Sequence, residues 1–481
     1  MKRALILALL LGGCSFVPHY QRPSGAVPAA WPSGDAYRAN SAGLAQVNYR
    51  DVFRDPRLQQ VIERALANSR DLRIAFANIE AARAQLRIER AQQFPTINST
   101  NSVSFVDPGT GRSNNNGAPV VGGQRTNYTL NLGATQFEID LFGRVAALTQ
   151  AAKAQYFASE AGARATRLVL VGDVANAWLQ HGADQSLLKL AQQTARIAEE
   201  SVRLTRARVE GGVAPRTDLT QAEQTLEQAR ANVANQTTLV AQDVNALQLL
   251  VGVPVDPALL PGSIEETMGQ LAELPAGLDS SVLLRRPDVV RAEYQLIAAN
   301  AQIGAARAAL FPRLTLTGVA GLASNNLLNL FTTNAFNYTA TPAISYPVFA
   351  GGAARANVAA ARAQFDAAVA GYEQTIQTAF REVADALARR GTIGEQLAAQ
   401  ERLTAAAEQT FRLATARYQG GVDTYLGNLD AQRTLYQAQQ GMVNTRLIAA
   451  TNLVALYRTL GGDALIDVTP EGPGPVGAGR K

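Results

Sequence analysis

Two glycine-containing stretches decide how this chain folds: RVEGGVAPRTDLTQAEQTL at Arg208–Leu226 and RYQGGVDTYLGNLDAQRTL at Arg417–Leu435. The second begins 209 positions after the first, and both keep the pattern Arg-x-x-Gly-Gly-Val in step. Each glycine pair interrupts a long helical pattern, which is typical of a turn between two helices. A turn that occurs twice at one spacing indicates an internal repeat.

The two halves of the chain share more than these turns. KAQY at 153–156 aligns with RAQF at 362–365 at the same spacing. Residues 144–210 and 353–419 contain no proline, so each predicts one helix of roughly 100 Å at 1.5 Å per residue. Helices of this length, each returning through a turn, predict two tandem coiled-coil hairpins.

Between the helices the hydrophobic period changes to two. In residues 96–105 and again from Asn127, apolar side chains alternate with Thr, Ser and Asn, and the second half repeats this hairpin near 313–321 and 336–346. Such alternation is the weak signature of membrane β-barrel strands, and a soluble hairpin is the alternative. Four strands cannot close a barrel, and lipid does not tolerate open sheet edges. Membrane insertion would therefore require an oligomer.

The N-terminus predicts export and lipid attachment. MKRALILALLLGG at residues 1–13 has a charged start and an apolar run too short to span a bilayer comfortably, which indicates a signal peptide. The only cysteine, Cys14, follows directly, and the arrangement resembles a bacterial lipobox. The alternative is a soluble exported protein with an incidental cysteine. Ser15 at the next position resembles sorting to the outer membrane.

Composition excludes several functional classes. One cysteine and two histidines leave no intrachain disulfide and almost no basis for a His/Cys metal cluster. The net charge of +5 is spread along helix faces where arginine alternates with Glu and Gln, so no nucleic-acid partner is predicted. No nucleophile–base set, metal motif or phosphate loop is present, so we expect no enzyme and no cofactor beyond a covalent lipid on Cys14.

Three motifs resemble one protein family. They are LLRRPDVVRAEYQLIAANAQIGAARAALFPRLTLTG at 283–318, DLFGR at 140–144 and LDAQR at 429–433. They resemble signatures of the TolC-type outer-membrane efflux channels, in the lipoprotein (NodT-like) branch of the outer membrane factor family. The resemblance covers residues 50–462. VPHY at 17–20 departs from it, since the family usually has a Gly-Pro-Asp-Tyr run there.

The resemblance implies a fold class and a function. The fold would be mixed α and β, with a long α-helical coiled-coil barrel and a transmembrane antiparallel β-barrel, four strands per protomer and 12 in a homotrimer. The trimer would stand in the outer membrane, in contact with its lipid, and extend into the periplasm. It would dock on a periplasmic membrane-fusion adaptor and an inner-membrane pump and export drugs or other small compounds. Two alternatives are protein secretion through the same type of channel and a structural periplasmic coiled-coil lipoprotein.

The resemblance also assigns roles near the turns. Leu426, Asp430 and Arg433 match the family's pore aperture, and Tyr418 matches a latch residue beside it. Residues spaced four and three apart face one way on a helix, so the aperture set is physically consistent. A surface pair between Asp430 and Arg433 is the alternative. The residues expected to dock the adaptor are those of the two tips: Gly211, Gly212, Val213, Gly420, Gly421 and Val422.

The predicted organisation is linear, with every segment belonging to a repeat, a linker or a terminus. The segments are a lipoprotein signal peptide at 1–13, an N-terminal tether at 14–55, a helix at 56–94, a transmembrane β-hairpin at 95–142, a long helical hairpin at 143–251, a mid-height linker at 252–286, a helix at 287–311, a second transmembrane β-hairpin at 312–349, a second long helical hairpin at 350–462 and a flexible tail at 463–481.

Overall fold

A computed structural model of the chain describes residues 15–24, 27–28, 30–37, 48–106, 125–272, 279–469 and 471–474. Long helices alternate with pairs of strands. The elements are α1 Tyr49–Val52, α2 Pro56–Asn68, α3 Arg70–Ala91, β1 Ile97–Val106, β2 Arg125–Ile139, α4 Arg144–Glu210, α5 Arg216–Val251, α6 Ile264–Met268, α7 Pro287–Ala308, β3 Arg313–Ser324, β4 Phe336–Ser345, α8 Ala353–Gln419, α9 Tyr425–Thr459, β5 Val468–Thr469 and β6 Gly472–Pro473.

The described residues form two compact units. The first unit takes its residues from Met1–Gln21, Glu80–Ala158 and Glu293–Gly371. It contains one antiparallel sheet in the order β1-β2-β3-β4. The central pairing of β2 with β3 joins the first repeat to the second, while β1 and β4 each have one neighbouring strand in the described chain.

The register gives this sheet one apolar and one polar face. Leu130, Leu322 and Phe336 lie in one row across three strands, because Leu130 pairs with Leu322 and Leu322 with Phe336. The neighbouring row, on the opposite face, carries the pair Thr100 and Asn131. Directly paired residues share a face, so the alternation adds up across β2, β3 and β4, while β1 adds Ser99 and Asn101 to the otherwise apolar face. The apolar face is the one suited to lipid.

The second unit takes its residues from Arg22–Ile79, Ser159–Ala292 and Tyr372–Lys481. It contains both helical hairpin turns and the loop region around α6. The indole Nε1 of Trp178 donates to the carbonyl of Leu259 at 2.9 Å, which holds that loop against α4. The guanidinium of Arg286 is buried and reaches the carboxylates of Asp288 and Glu382 at 2.7 and 2.9 Å. No helix in the described part of the chain has the length and apolar character needed to cross a membrane.

Packing extends further into both predicted terminal segments than their descriptions as tether and tail suggest. Within 14–55, α1 forms and the side chain of Phe53 is fully buried. Within 463–481, Asp463 pairs with Arg167 at 2.7 Å and Ile466 is buried. The contacts are specific: the Phe53 ring meets Tyr457 of α9 edge to face at 5.4 Å between centroids, and the Ile466 amide donates to the carbonyl of Arg285 at 2.9 Å. Cys14 and the signal peptide lie outside the described residues.

Candidate functional site

The two hairpin turns have the same backbone geometry. In the first, the amides of Gly211, Gly212 and Val213 donate to carbonyls of the preceding helix at 2.9, 3.0 and 2.9 Å. The second turn repeats all three bonds 209 positions later, at 2.9, 3.1 and 2.9 Å. Gly212 and Gly421 both have φ of 73°, the left-handed conformation that ends a helix and favours glycine.

The return helices begin differently after these turns. In the first turn Pro215 stands at the N-cap of α5 and gives no side-chain cap. In the second turn the hydroxyl of Thr424 caps α9 by accepting from the amide of Gly427 at 3.4 Å. The carboxylate of Asp423 accepts from the Thr424 amide at 2.8 Å and pairs with Arg417 at 3.2 Å. These bonds to the charged form lower the pKa of Asp423.

Next to the turns, the two hairpins share a buried cluster, defined as the tip core. Tyr418, Tyr425 and Leu429 of the second hairpin enter it, and the rings of Tyr418 and Tyr425 meet edge to face at 5.5 Å between centroids. Burial, as the main cause, raises the pKa of Tyr425. The first hairpin supplies small and aliphatic side chains: Ala198, Val202, Ala222, Leu226 and Ala229.

Three non-covalent contacts connect Tyr418 to the first hairpin. Its ring lies under the guanidinium of Arg208, at 4.7 Å from Cζ to the ring centroid. Arg208 Nη1 also donates to the backbone carbonyl of Tyr418 at 2.9 Å. The Tyr418 hydroxyl lies 3.3 Å from the hydroxyl of Thr205. Only 3% of Tyr418 is exposed, so these contacts act away from bulk water and hold the two hairpins together.

The predicted aperture residues occupy the opposite, solvent-facing side of α9. Leu426 is 60% exposed, and Asp430 and Arg433 are exposed as well. The structure brings these three together on one face but places Tyr418 apart from them, in the tip core. In the described part of the protomer, Asp430 and Arg433 form no ion pair with each other. The surface pair weighed as an alternative is therefore not seen, and both charges remain available to groups outside the protomer.

Sequence reasoning missed the partners of Tyr418. Arg208 opens the first repeated motif and Tyr418 follows the start of the second, but nothing in either motif indicates that they meet. Thr205 and Tyr425 carry no motif signal at all. Comparison of the two repeats could have indicated a contact of Tyr418, because the first copy has Val209 at the corresponding position. A large amphipathic side chain that replaces an aliphatic one beside a turn indicates a contact specific to one copy.

Known proteins share this organisation along nearly the whole chain. The family model described as outer membrane efflux protein matches residues 61–253 and 278–462. The chain is 45% identical to the antibiotic efflux pump outer membrane protein ArpC of Pseudomonas putida, over 95% of this chain and 94% of ArpC. The toluene efflux pump outer membrane protein TtgC of the same species has the same identity and coverage. The solved open state of the MtrE outer membrane channel of Neisseria gonorrhoeae is 34% identical, with a TM-score of 0.83, and the match covers 94% of this chain and 99% of MtrE.

The chain belongs to the outer membrane efflux protein family. As an outer membrane efflux protein it is a transport channel component rather than an enzyme, and it resides in the outer membrane. The expected fold class, long helices combined with membrane strands in two tandem repeats, is confirmed. The roles of individual residues at the tips stay predictions.

The contacts of Arg208 lead to a first prediction. In the purified efflux protein, Arg208→Ala should raise amide hydrogen exchange in residues 413–426 about tenfold, because it removes a cation–π contact and a charged hydrogen bond worth together about 1–2 kcal/mol. Arg206→Ala is the matched control, since Arg206 lies on the same helix and, among the described residues, pairs only with the half-exposed Glu223. Equal exchange in the two variants would show that Arg208 does not hold the second hairpin.

Proposed function

We propose that three copies of this chain form one channel that carries drugs or other small compounds out through the outer membrane. The observation that supports the oligomer is the pair of open edges at β1 and β4 in a sheet with a lipid-suited face. Unpaired backbone groups at membrane depth cost several kcal/mol each, so the edges require partners. Three copies supply 12 strands, which exceeds the roughly eight strands of the smallest membrane barrels.

Small compounds are the favoured cargo. ArpC is named for antibiotic efflux and TtgC for toluene efflux, and both are 45% identical to this chain. A periplasmic membrane-fusion adaptor and an inner-membrane pump would complete the export path, as in a tripartite efflux system. The exposed tips are the surface proposed for the adaptor. Val213 and Val422 are each 68% exposed, and equivalent turns would present them as a repeated apolar contact.

A gene deletion tests this function as a whole. Loss of the chain should make cells several-fold more susceptible to a panel of chemically unrelated drugs, and a plasmid copy should restore resistance. The detergent-solubilised protein should have a mass close to three times that of one processed chain, measured by light scattering with the detergent subtracted; the unprocessed chain has a mass of 51.0 kDa. Unchanged susceptibility together with a monomeric mass would exclude the proposed channel.

The exposed face of α9 is the proposed gate. In a trimer with α9 lining the axis, three Asp430 carboxylates would form a ring that attracts cations. Arg433 of each copy would be available to pair with Asp430 of a neighbour, because neither residue pairs within its own protomer in the described chain. An exposed pair contributes under about 1 kcal/mol, but three symmetric pairs act together on one closed state. Leu426 would narrow the same opening.

Single-channel recording tests the gate. Asp430→Ala combined with Arg433→Ala should raise the conductance of the channel in planar bilayers and weaken its preference for cations. The repeat offers a matched control in Gln221→Ala combined with Gln224→Ala, which changes the corresponding positions of the first hairpin. The control should conduct like the wild type. Equal conductance and equal ion preference in the two double variants would show that Asp430 and Arg433 are not part of the gate.

Lipid attachment at Cys14 is also part of the proposal. It rests on the charged start, the short apolar run and the single cysteine that follows them. Several acyl chains, at about 0.8 kcal/mol for each buried CH₂, would anchor the chain firmly. Wild-type protein from cells grown with radioactive palmitate should carry label, and Cys14→Ala should carry none. Label on Cys14→Ala would show that the lipid is attached to another residue. An unlabelled wild type would show that the protein carries no palmitate.

A further inference from the structure

The open edge of β4 lacks one hydrogen-bond donor. Pro342 lies within this strand, and its pairing with Leu316 of β3 continues without a break on both sides. Proline has no backbone N–H and is tolerated in a sheet where its nitrogen faces the free edge. Opposite residues of antiparallel strands alternate between pairs that exchange two hydrogen bonds and pairs that exchange none. Pro342 therefore holds a non-bonded position towards β3 and turns its nitrogen to the edge where a further strand would bind.

The open edge of β1 carries polar side chains on the lipid-suited face of the sheet. Asn101 pairs with Leu130, so it lies in the same row as Leu322 and Phe336. Ser99 lies on the same face, and its hydroxyl donates to Oδ1 of Asn101 at 3.4 Å. Nδ2 of Asn101 donates to no group in the described part of the chain. Hydrogen-bonding side chains at a lipid-facing edge cost free energy unless a group at that edge uses them.

The two edges match each other in length and in face. β1 and β4 each have 10 residues. We define the seam as β4 of one copy paired antiparallel with β1 of the next. Complete overlap would place the polar face of one strand beside the apolar face of the other, so the strands must shift by one residue in either direction. The first register places Ser99 of the next copy opposite Pro342, and the second places Asn101 there. In both registers the residue opposite the proline is polar.

Both registers also suit a closed barrel of 12 strands. At a tilt of about 35–45°, strands about 4.8 Å apart with a rise of about 3.3 Å per residue require a stagger of roughly 12–17 residues around the barrel. Each of three copies must then advance by about four to six residues. The pairs lead from Asn101 to Phe336, and Phe336 faces Phe105 of the next copy in the first register, an advance of about four residues. The second register advances by about six.

We propose that the copies join at a seam in which a side-chain donor of β1 replaces the N–H that Pro342 lacks, so that this part of the interface is complete only when the next copy contributes Ser99 and Asn101. The proposal rests on the trimer proposed above. A bonded antiparallel pair exchanges two hydrogen bonds, and opposite a proline only one of them can form. The residue opposite keeps a carbonyl without a backbone donor, and lipid offers no water to it. The hydroxyl of Ser99 and the amide of Asn101 lie beside that carbonyl.

Disulfide cross-linking tests the seam and its register. On the polar face of the sheet, the residue next to Pro342 is Thr341, which faces Thr100 of the next copy in the first register and Ser102 in the second. Such non-bonded pairs are close enough for a disulfide. After mild oxidation of outer membranes, Thr341→Cys with one of Thr100→Cys or Ser102→Cys should give at least about tenfold more covalent dimer and trimer than Thr341→Cys alone. Thr341→Cys with Ser104→Cys should give no more than the single variant.

A rescue experiment tests the replacement donor. Ser99→Ala combined with Asn101→Ala should make trimers dissociate in heated detergent at least about tenfold faster, a factor equal to about 1.4 kcal/mol. Adding Pro342→Ala should return the rate to within about twofold of wild type, because alanine restores the backbone N–H. Asn98→Ala combined with Ser104→Ala is the matched control. It removes the same two residue types from the opposite face of β1, so it should dissociate like wild type.

The outcomes separate the seam from the trimer. A trimeric wild type in which neither Thr341→Cys with Thr100→Cys nor Thr341→Cys with Ser102→Cys cross-links would overturn the seam alone. A wild-type dissociation rate in the Ser99→Ala, Asn101→Ala variant, or no recovery on adding Pro342→Ala, would overturn the replacement donor. A wild-type protein of monomeric mass would overturn the proposed trimer and the seam with it. If the alanine variant does not reach the outer membrane, the cysteine pairs decide, because they leave the polar residues and the proline in place.

Discussion

An unpaired backbone N–H or C=O group in lipid has no water to bind, so every strand at membrane depth needs a hydrogen-bonded neighbour on both sides. Its sheet exposes two edges, at β1 and β4, that nothing within the described protomer covers. In the proposed trimer, further copies supply matching strands with the same register and the same alternation of faces. Partner strands at both edges are therefore a condition for membrane insertion. The same condition explains why each repeat contributes one hairpin, because β2 and β3 can then pair across the repeat boundary.

Duplication accounts for the shared backbone of the tips, and substitution accounts for the different roles proposed for them. Gly212 and Gly421 have the same φ, and the amide bonds of the two turns agree within 0.1 Å. The side chains that follow differ: Gln221 corresponds to Asp430, and Gln224 to Arg433. Two neutral side chains in one copy thus become opposite charges in the other. The proposed difference in gating between the hairpins therefore lies in side chains, with Leu426 in place of Thr217 as a third change, and the hydrogen bonds of the Gly-Gly turn stay the same.

Local signals made most of the fold predictable. The two 67-residue helices have the bounds expected from their proline-free stretches, and the strands follow the change of period from helix to strand. Contacts between distant segments were not predictable, because neither spacing nor composition encodes them. The carboxyls of Asp184 and Asp243 are an example: burial, together with the neighbouring Asp184, raises the pKa of Asp243 to about 7. The second repeat has Ile393 and Asn452 at these positions, so comparison of the two repeats does not predict that the two carboxyls lie close together.

The candidate functional site has a part that the sequence predicts and a part that it does not, and the two parts differ in their exposure to solvent. Its exposed part, Leu426, Asp430 and Arg433, follows helical spacing and could be predicted as one face. Its buried part, Tyr418 with Arg208 and Thr205, joins two hairpins and could not. Exposed charges are screened by water and salt, so they are suited to selecting ions and contribute little to holding a state. Buried contacts are screened less, so the tip core contributes more to the position of the second hairpin. In the proposed trimer, opening the pore requires α9 to move. The tip core around Tyr418 then either moves as an intact unit or is broken. Because breaking the tip core costs more free energy, we expect both hairpins to move together.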